Sequence, residues 1–185
     1  MEKEKLLLHS CCAPCSVYVM ELLLENYQVT SYFYNPNIHF YNEYQKREIE
    51  MERLTSAKGI PLIKGEYELE EWFLKAKGLE QEPEKGKRCI QCFILRLEKT
   101  AQLAQKLDVA WFSTTLTVSP HKDATQINKI GKELALKYGL KFLSADFKKQ
   151  DGFKKSVELS KQWGFYRQNY CGCIYSKFTY KKNDS

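Results

Sequence analysis

Short apolar runs that are typical of buried strands alternate along this sequence with segments of helical periodicity. Strands that alternate with helices pair in parallel, and the helices then cover both faces of the sheet. The sequence therefore predicts an α/β fold with a parallel sheet flanked by helices. The predicted strands span residues 6–8, 28–34, 61–63, 109–116 and 140–143, and the predicted helices span about 14–24, 43–58, 67–77, 88–107, 122–138 and 151–163.

The composition predicts one domain. The chain has 185 residues, 43% of them hydrophobic, which is enough for a core of its own. We expect this domain to span residues 1–180 and residues 181–185 to form a disordered tail. The net charge of +6 permits nucleic-acid binding without requiring it. The apolar run at 6–8 is too short for a signal sequence or a membrane span, so we expect a cytoplasmic protein with no membrane contact.

Seven cysteines are unusual for a protein whose thiols are kept reduced by the cytoplasm. Six of them form three close pairs, and Cys15 is left over. A single pair can arise by chance, but three pairs at loops or helix starts indicate a metal or redox site. The pairs are Cys11 with Cys12, Cys89 with Cys92, and Cys171 with Cys173.

The first two pairs have features of metal ligands. Adjacent cysteines such as Cys11 and Cys12 cannot form an unstrained disulfide, and they follow the first strand, at the edge where parallel sheets bind ligands. Cys89 and Cys92 open a helix, whose backbone N–H groups and dipole should lower their pKa, helped by Arg88. Thiolates at this spacing suit a [4Fe–4S] cluster or zinc. The adjacent pair fits a zinc ribbon poorly, which favours iron–sulfur.

The third pair, Cys171 and Cys173, flanks a single glycine, Gly172. A disulfide that closes so small a ring is strained and easily reduced, which suits a redox couple. The same two thiols could instead bind a metal.

Motifs along nearly the whole chain resemble one known family. They are Leu7-Leu8-His9-Ser10-Cys11-Cys12-Ala13-Pro14-Cys15, Asn35-Pro36-Asn37-Ile38, Arg88-Cys89 with Cys92, Thr114-Thr115-Leu116, Ser119-Pro120, and Tyr166-Arg167-Gln168 with Tyr170-Cys171-Gly172-Cys173. In this order they are similar to the cobalamin-independent epoxyqueuosine reductases of the QueH type.

The resemblance implies the last step of queuosine biosynthesis, in which epoxyqueuosine at the wobble position of tRNA is reduced to queuosine. It implies a [4Fe–4S] cluster, an additional iron ion beside it, a tRNA partner and an external electron donor. It also implies a fold related to the ATP-pyrophosphatase (HUP-like) group. Ser10-Cys11-Cys12-Ala13 stands in place of the Ser-Gly-Gly phosphate loop of that group, so we expect no use of ATP.

The resemblance and the residue types together assign roles to nine side chains. The expected cluster ligands are Cys11, Cys12, Cys89 and Cys92, the expected redox-active pair is Cys171 and Cys173, and the expected RNA contacts are Tyr166, Arg167 and Tyr170. The last three suit a base that leaves its stack to rest on aromatic or guanidinium planes. Cys15 follows Cys11 by one helical turn, so that it either faces the site or packs in the core.

The sequence also predicts positions for the three histidines and leaves two alternative functions open. His9 is expected to pack in the core, whereas His39 and His121 are expected at the surface. One alternative function is a zinc-stabilised RNA-binding module without catalysis. The other is a cluster-dependent tRNA sulfur transferase, which would need ATP.

Overall fold

A computed structural model describes residues 2–176 of the chain. Its sheet has five parallel strands in the order β3-β2-β1-β4-β5. The strands are β1 (Glu4–His9), β2 (Tyr27–Phe33), β3 (Leu62–Lys64), β4 (Trp111–Thr114) and β5 (Lys141–Phe142). The helices are α1 (Ala13–Leu24), α2 (Tyr41–Ala57), α3 (Leu69–Ala76), α4 (Lys87–Lys106), α5 (Ala124–Tyr138) and α6 (Gly152–Gln162), and a 3-10 helix spans Thr115–Val118.

Side chains of β1 alternate between two apolar cores, one on each face of the sheet. Leu7 faces α3, α4 and α5, where it joins a cluster that contains Phe112 of β4. Leu6 and Leu8 face α1, α2 and α6, where they join Phe33 of β2. All three leucines are fully buried, as expected for the central strand of a sheet covered on both sides.

The helix ends follow from local sequence signals. Pro14 lies in the first turn of α1, where its missing N–H leaves no hydrogen bond unmade. Asp123 caps α5 by accepting hydrogen bonds from the backbone N–H groups of Thr125 and Gln126. Gly139 ends α5 with a φ of 67°, in the left-handed conformation that a helix end favours for glycine. Pro14 and Asp123 thus mark the starts of α1 and α5, which follow the carboxyl ends of β1 and β4.

The structure confirms the predicted α/β fold, its parallel sheet and its flanking helices, and most element ends lie one or two residues from their predicted positions. The predicted strand 109–116 ends at Thr114, and the chain continues as the 3-10 helix. The hydroxyl of Thr114 accepts a hydrogen bond from the backbone N–H of Leu116, which turns the chain out of the sheet. The relation to the ATP-pyrophosphatase group stays a prediction.

The predicted domain end at 180 and the predicted tail 181–185 lie outside the described residues. Within residues 2–176, no helix is long and apolar enough to cross a membrane.

Candidate metal centre

A cavity of about 360 Å³ opens at the carboxyl edge of the sheet. The chain order reverses there, because β1 is followed outward by β2 on one side and by β4 on the other, and such reversals are where ligands bind in open parallel sheets. Six of the seven cysteines line this cavity: Cys11, Cys15, Cys89, Cys92, Cys171 and Cys173. The structure therefore brings the three sequence-distant cysteine groups to one place.

The loop between β1 and α1, together with the first turn of α1, supplies three thiols. The Sγ atoms of Cys11, Cys12 and Cys15 all lie within 4.8 Å of one another, a grouping that could hold a metal ion. Cys11 and Cys12 are buried, and their sulfur atoms are 3.8 Å apart. The Thr115 hydroxyl donates to the Cys11 sulfur at 3.5 Å and accepts from the Cys11 backbone N–H at 3.3 Å. The 3-10 helix after β4 thus fixes the loop after β1.

The three thiols differ in pKa. Hydrogen bonds from the Cys12 and Cys15 thiols hold the pKa of Cys11 well below its usual value. The same hydrogen bond raises the pKa of Cys12 to about 11, and the contact with Cys11 also raises the pKa of Cys15. Within this group, Cys11 is the thiol whose pKa is lowered, because the two neighbouring thiols donate to it.

The first turn of α4 supplies Cys89 and Cys92. Because α4 precedes β4, its N-terminus lies at the carboxyl edge of the sheet, beside the β1–α1 loop. Burial raises the pKa of Cys89, and it raises the pKa of Cys92 to about 11. The expected lowering of these pKa values by the helix N-terminus was wrong, since desolvation of the partly buried Cys89 thiol and of the buried Cys92 thiol outweighs the helix dipole.

The Cys171–Cys173 segment is fastened to the start of α2. The Arg47 guanidinium donates to the carbonyl of Cys171 at 3.0 Å and to that of Tyr170 at 3.3 Å, and it pairs with Glu43 at 2.8 Å. The backbone N–H of His39 donates to the carbonyl of Gly172 at 2.8 Å. These bonds hold the segment over the cavity, with Arg47 itself buried.

The Cys171 and Cys173 thiols differ in acidity. A hydrogen bond from the Cys173 thiol holds the pKa of Cys171 well below its usual value, and the pKa of Cys173 is raised by the same contact. All seven cysteines of the sequence lie in the described part of the chain, and all are free thiols. The cavity therefore has two low-pKa thiols, Cys11 and Cys171, from opposite ends of the sequence.

Cationic side chains surround these sulfur atoms. Arg96 is buried, donates to the carbonyl of Cys92 at 3.2 Å and to the Asn35 side-chain oxygen at 3.4 Å, and lines the cavity. Lys122 also lines the cavity; burial lowers its pKa, but the nearby Cys11, Cys15 and Cys171 thiols outweigh burial and raise it. The cavity thus favours anionic sulfur ligands.

The three expected RNA contacts lie in different surroundings. Arg167 and Tyr170 line the cavity, with the Arg167 guanidinium over the ring of Phe153. The Tyr170 hydroxyl donates to the carbonyl of His39 at 2.8 Å. Tyr166 is 37% exposed outside the cavity lining, and its hydroxyl donates to Glu43 at 2.9 Å.

Two of the three histidines lie where the sequence predicts. His9 is fully buried between the Thr114 hydroxyl and the carbonyl of Tyr34, and burial lowers its pKa to about 3, so it is a neutral core residue. His121 is exposed at the cavity mouth. The predicted surface position of His39 was wrong, because its ring packs against Phe73 and is buried.

Sequence reasoning left Cys15 open and missed Arg47 and Arg96. The spacing of one helical turn between Cys11 and Cys15 was a signal that Cys15 faces the site, since α1 begins next to Pro14. The i,i+4 spacing of Glu43 and Arg47 was a signal only for a surface pair. Nothing in the sequence shows that Arg47 reaches Cys171, because that contact joins residues from distant parts of the chain.

Comparison with known proteins gives one consistent result. The family model described as "Epoxyqueuosine reductase QueH" matches residues 6–179. The chain is similar to the epoxyqueuosine reductase QueH of Haemophilus influenzae, with 47% identity over 174 residues, 93% of this chain and 71% of that protein. It is also similar to the proteins of the same name from Streptococcus pyogenes, with 40% identity over 94% of this chain and 71% of that protein, and from Thermotoga maritima, with 40% identity over 92% of this chain and 88% of that protein.

Proposed function

Because the chain belongs to the QueH family of epoxyqueuosine reductases, we propose that it reduces epoxyqueuosine to queuosine at the wobble position of tRNA with the aid of a [4Fe–4S] cluster. One observation carries the proposal: three cysteine groups, distant in sequence, line a single cavity at the carboxyl edge of the sheet. A thiol-rich cavity of this kind suits soft, redox-active metals better than hard cations.

The donor set fits an iron–sulfur cluster. Cys11, Cys12, Cys89 and Cys92 would hold the cluster, and the closeness of Cys15 to the first two leaves a fifth sulfur for an additional iron ion. When bound, the cluster and the extra iron would supply electrons and a Lewis acid for the epoxide oxygen.

The reaction balances as a two-electron reduction. Both carbon–oxygen bonds of the epoxide break, two electrons and two protons enter, the oxygen leaves as water and a carbon–carbon double bond forms. The electrons come from an external donor. Nothing in this balance requires ATP, and Cys11 and Cys12 lie in the loop after β1, where the expected relation to the ATP-pyrophosphatases would place a phosphate loop.

The residues of the chain would hold and orient the substrate. Tyr170 and Arg167 at the cavity wall offer an aromatic ring and a guanidinium plane for the extruded base. Tyr166, half-exposed beside them, would contact neighbouring nucleotides. Arg47 would keep the segment around Tyr170 in place through its two carbonyl contacts.

Cys171 and Cys173 would form the redox-active pair that passes electrons during turnover. Their unequal acidity supports this role, since a low-pKa thiol next to a protonated one is ready for thiol–disulfide exchange. Their position on the same cavity as Cys89 and Cys92 also supports a second role as metal ligands.

The deciding experiment is anaerobic reconstitution of the full chain with iron and sulfide, followed by incubation with epoxyqueuosine-containing tRNA and dithionite. Queuosine is then measured by mass spectrometry of the digested tRNA. We expect a coloured protein with at least four irons per chain that converts the substrate. A colourless protein that binds only zinc and tRNA would favour the RNA-binding module, and ATP-dependent sulfur incorporation into tRNA would favour the sulfur transferase.

A further inference from the structure

Gln168 makes a direct contact with one of the sulfur atoms. Its side-chain Nε2 lies 3.1 Å from the Sγ atom of Cys12. We propose that Gln168 is a positioning residue that donates this hydrogen bond to Cys12 and raises the reduction potential of the cluster held there. This inference rests on the proposed function, because it assumes that Cys12 is a cluster ligand.

The chemistry of the amide fixes which of its atoms faces the sulfur. A thiolate sulfur is an acceptor, so an N–H group facing it is favourable, whereas a flipped amide would bring the Oε1 acceptor against another acceptor. In the described part of the chain, Gln168 Oε1 is shielded from solvent and has no hydrogen-bond partner. A buried amide oxygen left in this way is costly, and the hydrogen bond from Nε2 to the Cys12 sulfur offsets part of that cost.

The backbone around Gln168 is also fixed. Tyr170 and Cys171, two and three residues later, are bound through their carbonyls by the buried Arg47. On the other side, Arg167 lies over the ring of Phe153 in α6. The amide therefore approaches Cys12 from a segment with contacts to both α2 and α6, rather than from a free loop.

The consequence for the cluster is electrostatic. Reduction adds one electron, which makes the ligand sulfurs more negative and strengthens any hydrogen bond that they accept. A donor aimed at a ligand sulfur thus stabilises the reduced cluster more than the oxidised one and raises its potential. Gln168 would make the cluster easier for the external donor to reduce.

The test compares two substitutions that both remove the donor. Gln168→Glu keeps the size of the side chain and replaces Nε2 with a carboxylate oxygen, and Gln168→Leu removes the polar group. The matched control is Gln102→Leu in α4, because the amide of Gln102 donates to the Tyr138 hydroxyl and does not contact a cysteine. Each full-length protein is reconstituted anaerobically, its iron is counted, and its cluster is titrated with dithionite while the electron paramagnetic resonance signal is followed.

We expect wild-type iron content in all four proteins. The midpoint potential should be more negative than wild type in both Gln168 variants, by a larger shift in Gln168→Glu because it adds negative charge, and unchanged in Gln102→Leu. Unshifted potentials in both Gln168 variants would overturn the inference. Loss of iron from both variants with a wild-type circular dichroism spectrum would also overturn it, because Gln168 would then be needed for assembly of the cluster. Absence of a cluster from the wild type would instead count against the proposed function.

Discussion

Single thiols of the candidate centre differ more from one another than their spacing in the sequence indicates. Cys11 and Cys171 have lowered pKa values because neighbouring thiols donate to them, whereas burial raises that of Cys92 to about 11. Metal binding requires deprotonated thiols, so loading of the site releases protons, and most of them come from the high-pKa members.

Cys89→Ser or Cys92→Ser should abolish cluster binding and activity. A serine oxygen is too hard a ligand to replace a thiolate on iron. Iron content per chain and queuosine formation measure the effect, and we expect both to fall to background. The thermal unfolding midpoint of the metal-free protein serves as the control, because exchanging a single sulfur for oxygen at these positions should cost only about 1 kcal/mol. Full iron content in either variant would contradict the ligand assignment.

Cys171→Ser or Cys173→Ser should leave a cluster in place yet remove most of the activity. The two thiols would act as an exchangeable pair, and loss of either ends the exchange. Iron counting beside a turnover assay separates this role from metal ligation. If iron per chain falls as far as in Cys92→Ser, the pair is a metal ligand and the redox role fails.

At the scale of the elements, the contact between α2 and residues 170–173 holds this segment over the cavity. Gly172 has a φ of 105°, and a Cβ atom placed there would lie 2.9 Å from the Ile38 side chain and 3.1 Å from the Arg47 guanidinium. Neither neighbour has free space to move into, since both are buried. The close approach of the segment to α2 therefore depends on glycine.

Gly172→Ala should displace the segment and reduce activity by tenfold or more, an order-of-magnitude expectation for a misplaced catalytic group. The matched control is Gly59→Ala, which has a φ of 63° with no atom within 4 Å of an added Cβ. That control carries backbone strain of about 1 kcal/mol without a clash. Equal activity in the two variants would show that the position of the segment does not matter for turnover.

The helices and strands could be predicted from the sequence, whereas the tertiary contacts between them could not. Within residues 2–176, the five strands and the helices α1 to α6 were all predicted, because periodicity, Pro14 and Gly139 are local signals. The end of β4 was missed because it depends on one hydroxyl, that of Thr114. The cysteine pairs indicated three groups of thiols, and the structure brings these groups to one cavity, while the role of each thiol stays a prediction. The reach of Arg47 to Cys171 and the burial that raises the pKa of Cys92 depend on tertiary packing.

For the whole molecule, the excess of positive charge should govern how tRNA binds. Lys149 and Lys154 flank the start of α6, which lies at the cavity end of the fold because Phe153 lines the cavity. Lys106 ends α4, whose first turn is at the cavity, so it lies at the opposite edge of the sheet. Lys149 and Lys154 are therefore placed to contact the phosphates of a tRNA whose anticodon enters the cavity, whereas Lys106 is not.

Affinity for tRNA should therefore fall steeply with salt, and Lys149→Gln or Lys154→Gln should each reduce the slope of log affinity against log salt by about 0.7 to 0.9. Lys106→Gln should leave the slope unchanged. Fluorescence anisotropy with labelled tRNA over a series of salt concentrations measures all three. An affinity that does not change with salt would point to a free nucleoside as the substrate.

The central position of β1 has a consequence for how the protein is made on the ribosome. One edge of β1 pairs with β2, which is synthesised directly after it. The other edge pairs with β4, and Cys11 and Cys12 lie beside α4, and both of these elements are synthesised about 80 to 100 residues later. At translation rates of about 5 to 20 residues per second, that interval lasts for seconds. During it, two neighbouring thiols are without their later partners and open to oxidants and to competing copper or zinc. The nascent chain, rather than the folded enzyme, is therefore the form in which these thiols are most exposed to oxidation and to binding of the wrong metal.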